Sequence, residues 1–298
     1  MQLSDIVKYY NEYMDKQNQI NKEARYDGKE SWFHASGAGS CHLKHLLNSC
    51  GMDGVEQGSD SGRRLMRLGT LVHEDVQSSL SPLVWKRDTA ILSDDPTGAK
   101  STVYEGNDLL MEHEITIPSL NVRGFLDIAD INHKDKSITI FDIKTTASYK
   151  WSFIFGRKVD DNPSAMYELQ IATYAMGLAQ QYPDYALYMW LIYYKKDNSD
   201  FREKPVGSQY LGFAADYWMA VNEFVDAHKE KVDGFKKEAD IQFEQEGNGI
   251  MVREDFKAKI KKFCNPGDQI DLPVASWECN PLYCKFHALC PTIIKKKI

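Results

Sequence analysis

Two apolar segments joined by a short polar turn constrain the fold of this chain more than any other feature. The segments are residues 122–131 and 137–145, and the turn between them is Asn132-His-Lys-Asp-Lys136. Both segments are rich in Val, Ile and Thr, which favour strands. A turn this short joins strands that lie side by side, so the pattern predicts an antiparallel hairpin. The chain is therefore expected to fold around a sheet that contains this pair.

The predicted hairpin carries two aspartates and a lysine. Side chains alternate along a strand, so Asp142 and Lys144 project from one face while Phe141 and Ile143 project from the other. Closing the hairpin brings Asp127 beside Asp142, and two adjacent carboxylates repel unless a divalent cation holds both. Asp142 also lies in a run expected in the core, where an unpaired charge is costly. The pattern indicates a metal-dependent nuclease site in which Lys144 polarises water or stabilises charge on a phosphate.

Composition limits the other classes to which the chain could belong. With 298 residues, 43% of them hydrophobic, the chain can bury a substantial core. It has no apolar run that could span a bilayer and no signal peptide at its start, so we expect no membrane association and a cytoplasmic protein of a microbe or a phage-infected cell. The net charge of −7 argues against non-specific coating of duplex DNA. It still permits a nucleic-acid enzyme with an acidic metal site.

Hydrophobic periodicity predicts a mixed α/β order of elements. A helix precedes three strands, and a second helix precedes a fourth, strongly apolar strand. The predicted helices are residues 1–25, 63–79, 164–181, 214–237 and 253–263, and the predicted strands are residues 109–117, 122–131, 137–145 and 185–194. We divide the chain into an N-terminal helical region (1–62), a core (63–200) and a helical C-terminal region with a cysteine cluster (201–298). The two terminal regions are expected to pack together.

This α-β-β-β-α-β order, with the aspartates and lysine above, resembles the restriction-endonuclease-like core of the PD-(D/E)XK nuclease superfamily. Two further motifs resemble its RecB-type members. The segment from Gly69 to His73 matches their Gly-x-x-x-His motif, in which the histidine supplies a metal ligand. Gln170 and Tyr174 match their Gln-x-x-x-Tyr motif and lie one turn apart on the predicted helix after the Asp-x-Lys strand.

The resemblance implies a site and a reaction. His73, Asp127, Asp142 and the main-chain carbonyl of Ile143 would bind Mn²⁺ or Mg²⁺, and Lys144 would position the nucleophile for phosphodiester hydrolysis. The catalytic residues would be Asp127, Asp142, Lys144, Gln170 and Tyr174. An additional carboxylate could come from the preceding strand, where Glu114 and Glu112 have equivalent spacing.

The cysteines suggest a second cofactor. Six cysteines in a reducing compartment are not expected to form disulfides, and three of them lie within twelve residues near the C-terminus. Together with Cys41, the cysteines Cys279, Cys284 and Cys290 resemble the [4Fe-4S] ligands of iron-sulfur RecB-like exonucleases, which include AddB-type nuclease domains and the CRISPR-associated RecB-like exonucleases. Cys279 and Cys284 enclose four residues where the family usually has two. Zinc is therefore the alternative metal for the same thiols.

The combined prediction is a metal-dependent DNA exonuclease of a microbe or a phage that acts on single-stranded DNA in recombination, repair or replication. The chain shows no phosphate-binding loop of the Gly-x-x-x-x-Gly-Lys-Ser/Thr type, so it would act alone or with a helicase or recombination partner. Two alternatives stay open at this stage. One is a CRISPR adaptation nuclease that works in a complex, and the other is a catalytically silent DNA-binding subunit.

Overall fold

The protein contains a six-stranded mixed sheet in a computed structural model, which describes residues 6–25, 32–52, 60–92, 107–156, 164–246, 249–262, 284–287 and 289–290. The strands are β1 (Phe33–His34), β2 (Asn107–Ile117), β3 (Val122–Asn132), β4 (Ser137–Thr146), β5 (Ala186–Lys195) and β6 (Phe201–Val206). The helices of the described residues are α1 (Ile6–Arg25), α2 (His42–Ser49), α3 (Asp60–Leu92), α4 (Ser148–Ile154), α5 (Ala165–Gln181), α6 (Gln209–Glu246) and α7 (Gly249–Lys261).

The strand order is β1-β3-β4-β5-β6, and β2 pairs with β3. The hairpin predicted from the sequence is confirmed, because β3 and β4 pair antiparallel on either side of the turn. The pair β2–β3 is antiparallel, β4–β5 is parallel, and β5–β6 is antiparallel. A parallel pair needs a crossover connection, which α4 and α5 provide between β4 and β5. The predicted mixed α/β fold is therefore confirmed.

Several elements differ from the sequence prediction. Helix α3 continues to Leu92, beyond the predicted end at residue 79. The short helix α4 and the edge strand β6 were not predicted. Both are brief, and β6 has only one buried side chain, Val206, so neither leaves a strong periodic pattern in the sequence. None of the helices in the described residues has a stretch both long and apolar enough to cross a membrane.

The chain divides into two compact units. One contains residues 34–38 and 64–216, which include β2 to β6 and the whole of α4 and α5. The other contains residues 1–33, 39–63 and 217–298. In this second unit the Phe33 ring stacks on Trp218 with centroids 6.0 Å apart, and the ring Nε2 of His45 lies 2.7 Å from the hydroxyl of Tyr217. Aromatic packing and buried hydrogen bonds thus join segments that are far apart in the sequence.

Side-chain alternation is interrupted in the middle of β2. Leu109 and Met111 pack against the cluster that contains Val72 of α3, whereas Ile115 and Ile117 lie next to Gly177 of α5. In a regular strand these four odd-numbered residues would all project from the same face. Between the two pairs lies Glu112, whose φ of 46° is in the left-handed region and whose position is missing from the β2–β3 ladder. The strand therefore changes face at Glu112.

Candidate active site

The aspartate of β3 lies where the hairpin ladder stops. The β3–β4 pairing ends at Ile128 and Phe141, one position before Asp127 and Asp142 would face each other. The backbone N–H of Ile143 instead donates a hydrogen bond of 2.6 Å to Oδ2 of Asp127. A charge-assisted bond to a backbone N–H is shorter and stronger than a neutral one. It holds the buried Asp127 carboxylate close to β4.

Asp142 and Lys144 form a buried ion pair on β4. Their atoms Oδ2 and Nζ lie 2.6 Å apart, and 1% of the Asp142 side chain and 14% of the Lys144 side chain is exposed. Burial raises the pKa of Asp142, and the nearby Asp127 charge adds to this effect. Burial alone would lower the pKa of Lys144, but the charges of Asp142 and Asp127 outweigh it and raise that pKa. Lys144 is therefore held in its charged form.

Two side chains of α5 extend this pair. Lys144 Nζ donates to Gln170 Oε1 at 3.1 Å, and Gln170 Nε2 lies 3.5 Å from Asp142 Oδ1. The same Gln170 nitrogen donates to the Tyr174 hydroxyl at 2.9 Å. The network fixes the amide of Gln170 between the two charged groups. Burial raises the pKa of Tyr174, which keeps its hydroxyl protonated.

His73, Glu112 and Asp127 form a second cluster next to the ion pair. Each offers one ligand atom, and the three atoms lie within 4.8 Å of one another. His73 Nδ1 is 3.5 Å from Asp127 Oδ2. Burial alone would lower the pKa of His73, but the hydrogen bond and charge of Asp127 outweigh burial and raise it. Gln77 follows His73 by one helical turn and donates to Glu112 Oε1 at 2.8 Å.

Two glycines allow elements to approach the site closely. A Cβ on Gly124 of β3 would lie 2.8 Å from the Tyr174 ring and 2.8 Å from the Ala35 side chain. A Cβ on Gly69 of α3 would lie 3.2 Å from the Thr145 hydroxyl oxygen. Gly69 is the first residue of the Gly-x-x-x-His motif found in the sequence. The absence of a side chain at these positions lets α5 pack against β3 and lets α3 approach β4.

The predicted site residues lie together in one unit. His73 contacts Asp127, Asp127 contacts the backbone of Ile143, and a hydrogen-bonded network joins the remaining four, which are Asp142, Lys144, Gln170 and Tyr174. The metal-ligand role of the Ile143 carbonyl stays a prediction. Sequence reasoning named Glu114 first, but Glu114 lies 3.9 Å from Arg123, and Glu112 is the strand glutamate in the cluster. Gln77 was missed, although its spacing of four from His73 placed it on the same helix face.

Three of the four predicted cluster cysteines belong to the described residues. Cys41 immediately precedes α2, and Cys284 and Cys290 flank a turn in which the His287 N–H donates to the Cys284 carbonyl at 3.0 Å. All three are half-buried and belong to the same unit. Cys279 lies outside the described residues. The cluster therefore stays a prediction.

Comparison with known proteins assigns the chain to a family. The sequence model of the PD-(D/E)XK nuclease superfamily matches residues 80–291. No curated protein matches the chain. Among solved structures, SSO0001 is 14% identical with a TM-score of 0.44, and the match covers 95% of this chain and 96% of that one.

An alkaline exonuclease from Laribacter hongkongensis, LHK-Exo, is 13% identical with a TM-score of 0.40, covering 74% of this chain and 99% of that one. Its complex with dAMP is 11% identical with a TM-score of 0.35, at the same coverage. The assignment rests on the family model, which spans more than half of the chain. The chain belongs to the PD-(D/E)XK nuclease superfamily.

Proposed function

We propose that this protein is a metal-dependent DNA exonuclease that degrades single strands. The observation that carries the proposal is the junction of two groups at the end of the β3–β4 ladder. One is the ligand cluster of His73, Glu112 and Asp127, and the other is the Asp142–Lys144 ion pair. Asp127 contacts the backbone of β4, so we expect the two groups to act on one bound phosphate.

The donor set fits a divalent cation. Carboxylate oxygens and an imidazole nitrogen suit Mn²⁺, and carboxylates alone suit Mg²⁺. The structure supplies a further indication, because one ligand atom each of His73, Glu112 and Asp127 lies within 4.8 Å of the others. We propose His73, Asp127 and Asp142 as ligands with the Ile143 carbonyl, and we add Glu112. A cation bound there would neutralise charge on the scissile phosphate and lower the pKa of a water molecule.

The remaining residues prepare the phosphate and the nucleophile. Lys144 stays charged because its pKa is raised, so its ammonium group stabilises negative charge that develops during cleavage. Gln170 holds Lys144 at 3.1 Å, and Tyr174 in turn holds Gln170. Charged groups fixed in advance need no reorganisation during the reaction, which is the main source of electrostatic catalysis.

The preference for single strands, the need for an end, and the role in recombination, repair or replication come from the resemblance to RecB-type nucleases. The same resemblance supports a [4Fe-4S] cluster on Cys41, Cys279, Cys284 and Cys290, with zinc as the alternative. A helicase or recombination protein would supply the single strand. The shared compact unit of residues 39–63 and 217–298 supports a cofactor that joins Cys41 to the C-terminal cysteines.

Cleavage of end-labelled DNA tests the proposal. Linear single-stranded DNA should be shortened with Mn²⁺ or Mg²⁺ and not with chelator, while circular single-stranded DNA should stay intact. Asp142→Ala and Lys144→Ala should each lower the rate about 100-fold or more. Asp130→Asn is a matched control, because Asp130 lies on the same strand as Asp127 and contacts Asn107. Cleavage of circles would contradict the exonuclease assignment, and full activity of Asp142→Ala would contradict the site.

A further inference from the structure

Helix α4 carries an exposed tyrosine, Tyr149, and a half-buried phenylalanine, Phe153, directly after the strand that contains Asp142 and Lys144. Tyr149 is 72% exposed, which is the largest exposed fraction among the large hydrophobic side chains described. Its ring packs edge-on against Phe153 with centroids 5.1 Å apart. A largely exposed ring beside a candidate active site can stack on an unpaired base. The proposed function does not yet use this pair.

Cations lie beside the same helix. Lys150 Nζ is 4.0 Å from the centre of the Tyr167 ring, and Lys144 Nζ is 5.0 Å from the centre of that same ring. Tyr167 therefore connects the buried lysine of the proposed site to a lysine on α4. Both ammonium groups lie near one ring, so they can contact neighbouring phosphates of a single strand.

Further positive charge surrounds the base of α4. The Arg202 guanidinium is 5.5 Å from the centre of the Trp151 ring, and Lys195 Nζ is 5.9 Å from it. Two acidic groups lie nearby: Asp197 accepts the backbone N–H of Ser148 at 2.5 Å, and Asp200 is 3.9 Å from Lys195. Because Asp142 pairs with Lys144, three cations, Lys150, Lys195 and Arg202, face these two acids. The region is thus locally basic in a chain with a net charge of −7.

We propose that Tyr149, Lys150, Phe153 and Tyr167, here called the α4 strip, bind single-stranded DNA next to the scissile phosphate. Tyr149 and Phe153 stack on bases, and Lys150 binds the phosphate adjacent to the one that Lys144 faces. Aromatic rings interleaved with cations are the usual platform for single strands, because unpaired bases expose the faces that a duplex hides. This inference rests on the proposed function and names the surface that selects its substrate.

The test measures binding of the full-length chain to labelled oligothymidine in chelator, where no cleavage occurs. Tyr149→Ala should raise Kd at least about fivefold, and Tyr149→Trp should restore binding. Lys150→Gln should weaken binding. It should also make the slope of log binding constant against log salt concentration less negative by about 0.7, which is the contribution of one single-strand phosphate. Tyr149→Ala should leave that slope unchanged.

Two variants serve as matched controls. Tyr188 is 54% exposed on β5, and Lys134 lies in the β3–β4 turn. Helix α4 follows the C-terminal end of β4. Lys134 lies in the turn before the N-terminal end of β4, and Tyr188 pairs with Thr139 near that same end, so both residues are remote from α4. Tyr188→Ala and Lys134→Gln should bind like the unmodified chain.

The outcomes separate this inference from the proposed function. If the unmodified chain cuts single-stranded DNA but Tyr149→Ala and Lys150→Gln bind as tightly as it does, the α4 strip is wrong and the function stands. Tighter binding of duplex than of oligothymidine would also overturn the strip. If the unmodified chain neither binds nor cuts single strands, the proposed function itself fails.

Discussion

Glu112 shows how one residue can adopt an unfavourable conformation at a site. A left-handed backbone is unfavourable for a residue with a Cβ by about 1–2 kcal/mol, and glutamate has no local side-chain bond that would offset it. Glu112 nevertheless adopts φ 46° opposite Asp127, with Gln77 bound to its carboxylate. Strain of this kind persists where the surrounding structure enforces it, often at functional sites. We attribute it to placement of the carboxylate beside His73 and Asp127.

Glu112→Gln should lower the affinity for Mn²⁺ about tenfold or more, because the variant loses a negative ligand while keeping its shape. The measurement is calorimetric titration of the metal-free chain. Glu114→Gln is the matched control, since Glu114 lies two residues along the same strand beside Arg123. Equal Mn²⁺ affinity of Glu112→Gln and the unmodified chain would exclude Glu112 as a ligand.

The stabilisation given by Mn²⁺ should increase with pH. The raised pKa values of His73 and Asp142 mean that the metal-free folded chain holds these protons to higher pH than the unfolded chain does. Their contribution to stability is therefore present at low pH and is lost as the pH rises through the raised values. A cation must displace the same protons in order to bind. Below the pKa of each group, its bound proton therefore lowers the metal affinity by up to about tenfold for each pH unit.

The measurement is the rise in Tm on adding Mn²⁺, taken at pH values from about 5.5 to about 8. This range spans the ordinary histidine pKa of about 6.5. His73→Asn removes one of the titrating groups and should reduce this pH dependence. A Tm rise that is the same at every pH would contradict the ligand assignment of His73.

At the scale of elements, the site depends on the packing of α5 against β2 and β3. Gly177 lies so close to β2 that an added Cβ would be 2.0 Å from Ile115 Cγ2. Ile115 is β-branched and buried, so it has few alternative rotamers. Helix α5 carries Gln170 and Tyr174, and a displaced helix would move both. The contact between Gly177 and Ile115 therefore sets the position of the network around Lys144.

Gly177→Ala should destabilise the protein by about 1–3 kcal/mol through overpacking, and should lower activity more than Tm alone explains. The matched control is Gly212→Ala in α6, where an added Cβ meets nothing within 4 Å. That variant should be more stable by about 0.5–1 kcal/mol, because alanine favours a helix. Thermal unfolding of the two variants checks both signs. A stable, fully active Gly177→Ala would show that α5 can shift without cost.

At the scale of the whole molecule, residues from both ends of the chain form one compact unit. Cys41 and the C-terminal Cys284 and Cys290 belong to that unit. Cys50 is also there, and burial, with the charge of Asp233, raises the pKa of its thiol to about 12. Cys50 is buried, whereas Cys41, Cys284 and Cys290 are half-buried.

Anaerobically purified protein should be brown and contain about four iron atoms per chain, the content of one [4Fe-4S] cluster. Cys41→Ser and Cys290→Ser should lose the colour and lower Tm together, while Cys50→Ala should keep the colour. Visible absorption and metal analysis check these results. A colourless protein with about one zinc ion per chain would establish the zinc alternative.

The sequence by itself determined the β3–β4 hairpin, the order of the main helices and strands of the protein, and the residues of the predicted site. These are local properties, since strand alternation, helical spacing and turn composition are set by neighbouring residues. Asp142 and Lys144 share a face because they are two apart, and Gln170 and Tyr174 share one because they are four apart. Short elements with little buried surface, such as α4 and β6, escaped detection for the same reason.

Only the tertiary structure decided which strand glutamate joins the site. Glu112 and Glu114 have the same parity and similar neighbours, so periodicity cannot separate them. The left-handed backbone at Glu112, the end of the β3–β4 ladder at Asp127 and the approach of His73 and Gln77 place Glu112 in the cluster. These are contacts between residues 16 to 54 positions apart in the sequence. They depend on packing across the whole unit, which no local pattern in the sequence encodes.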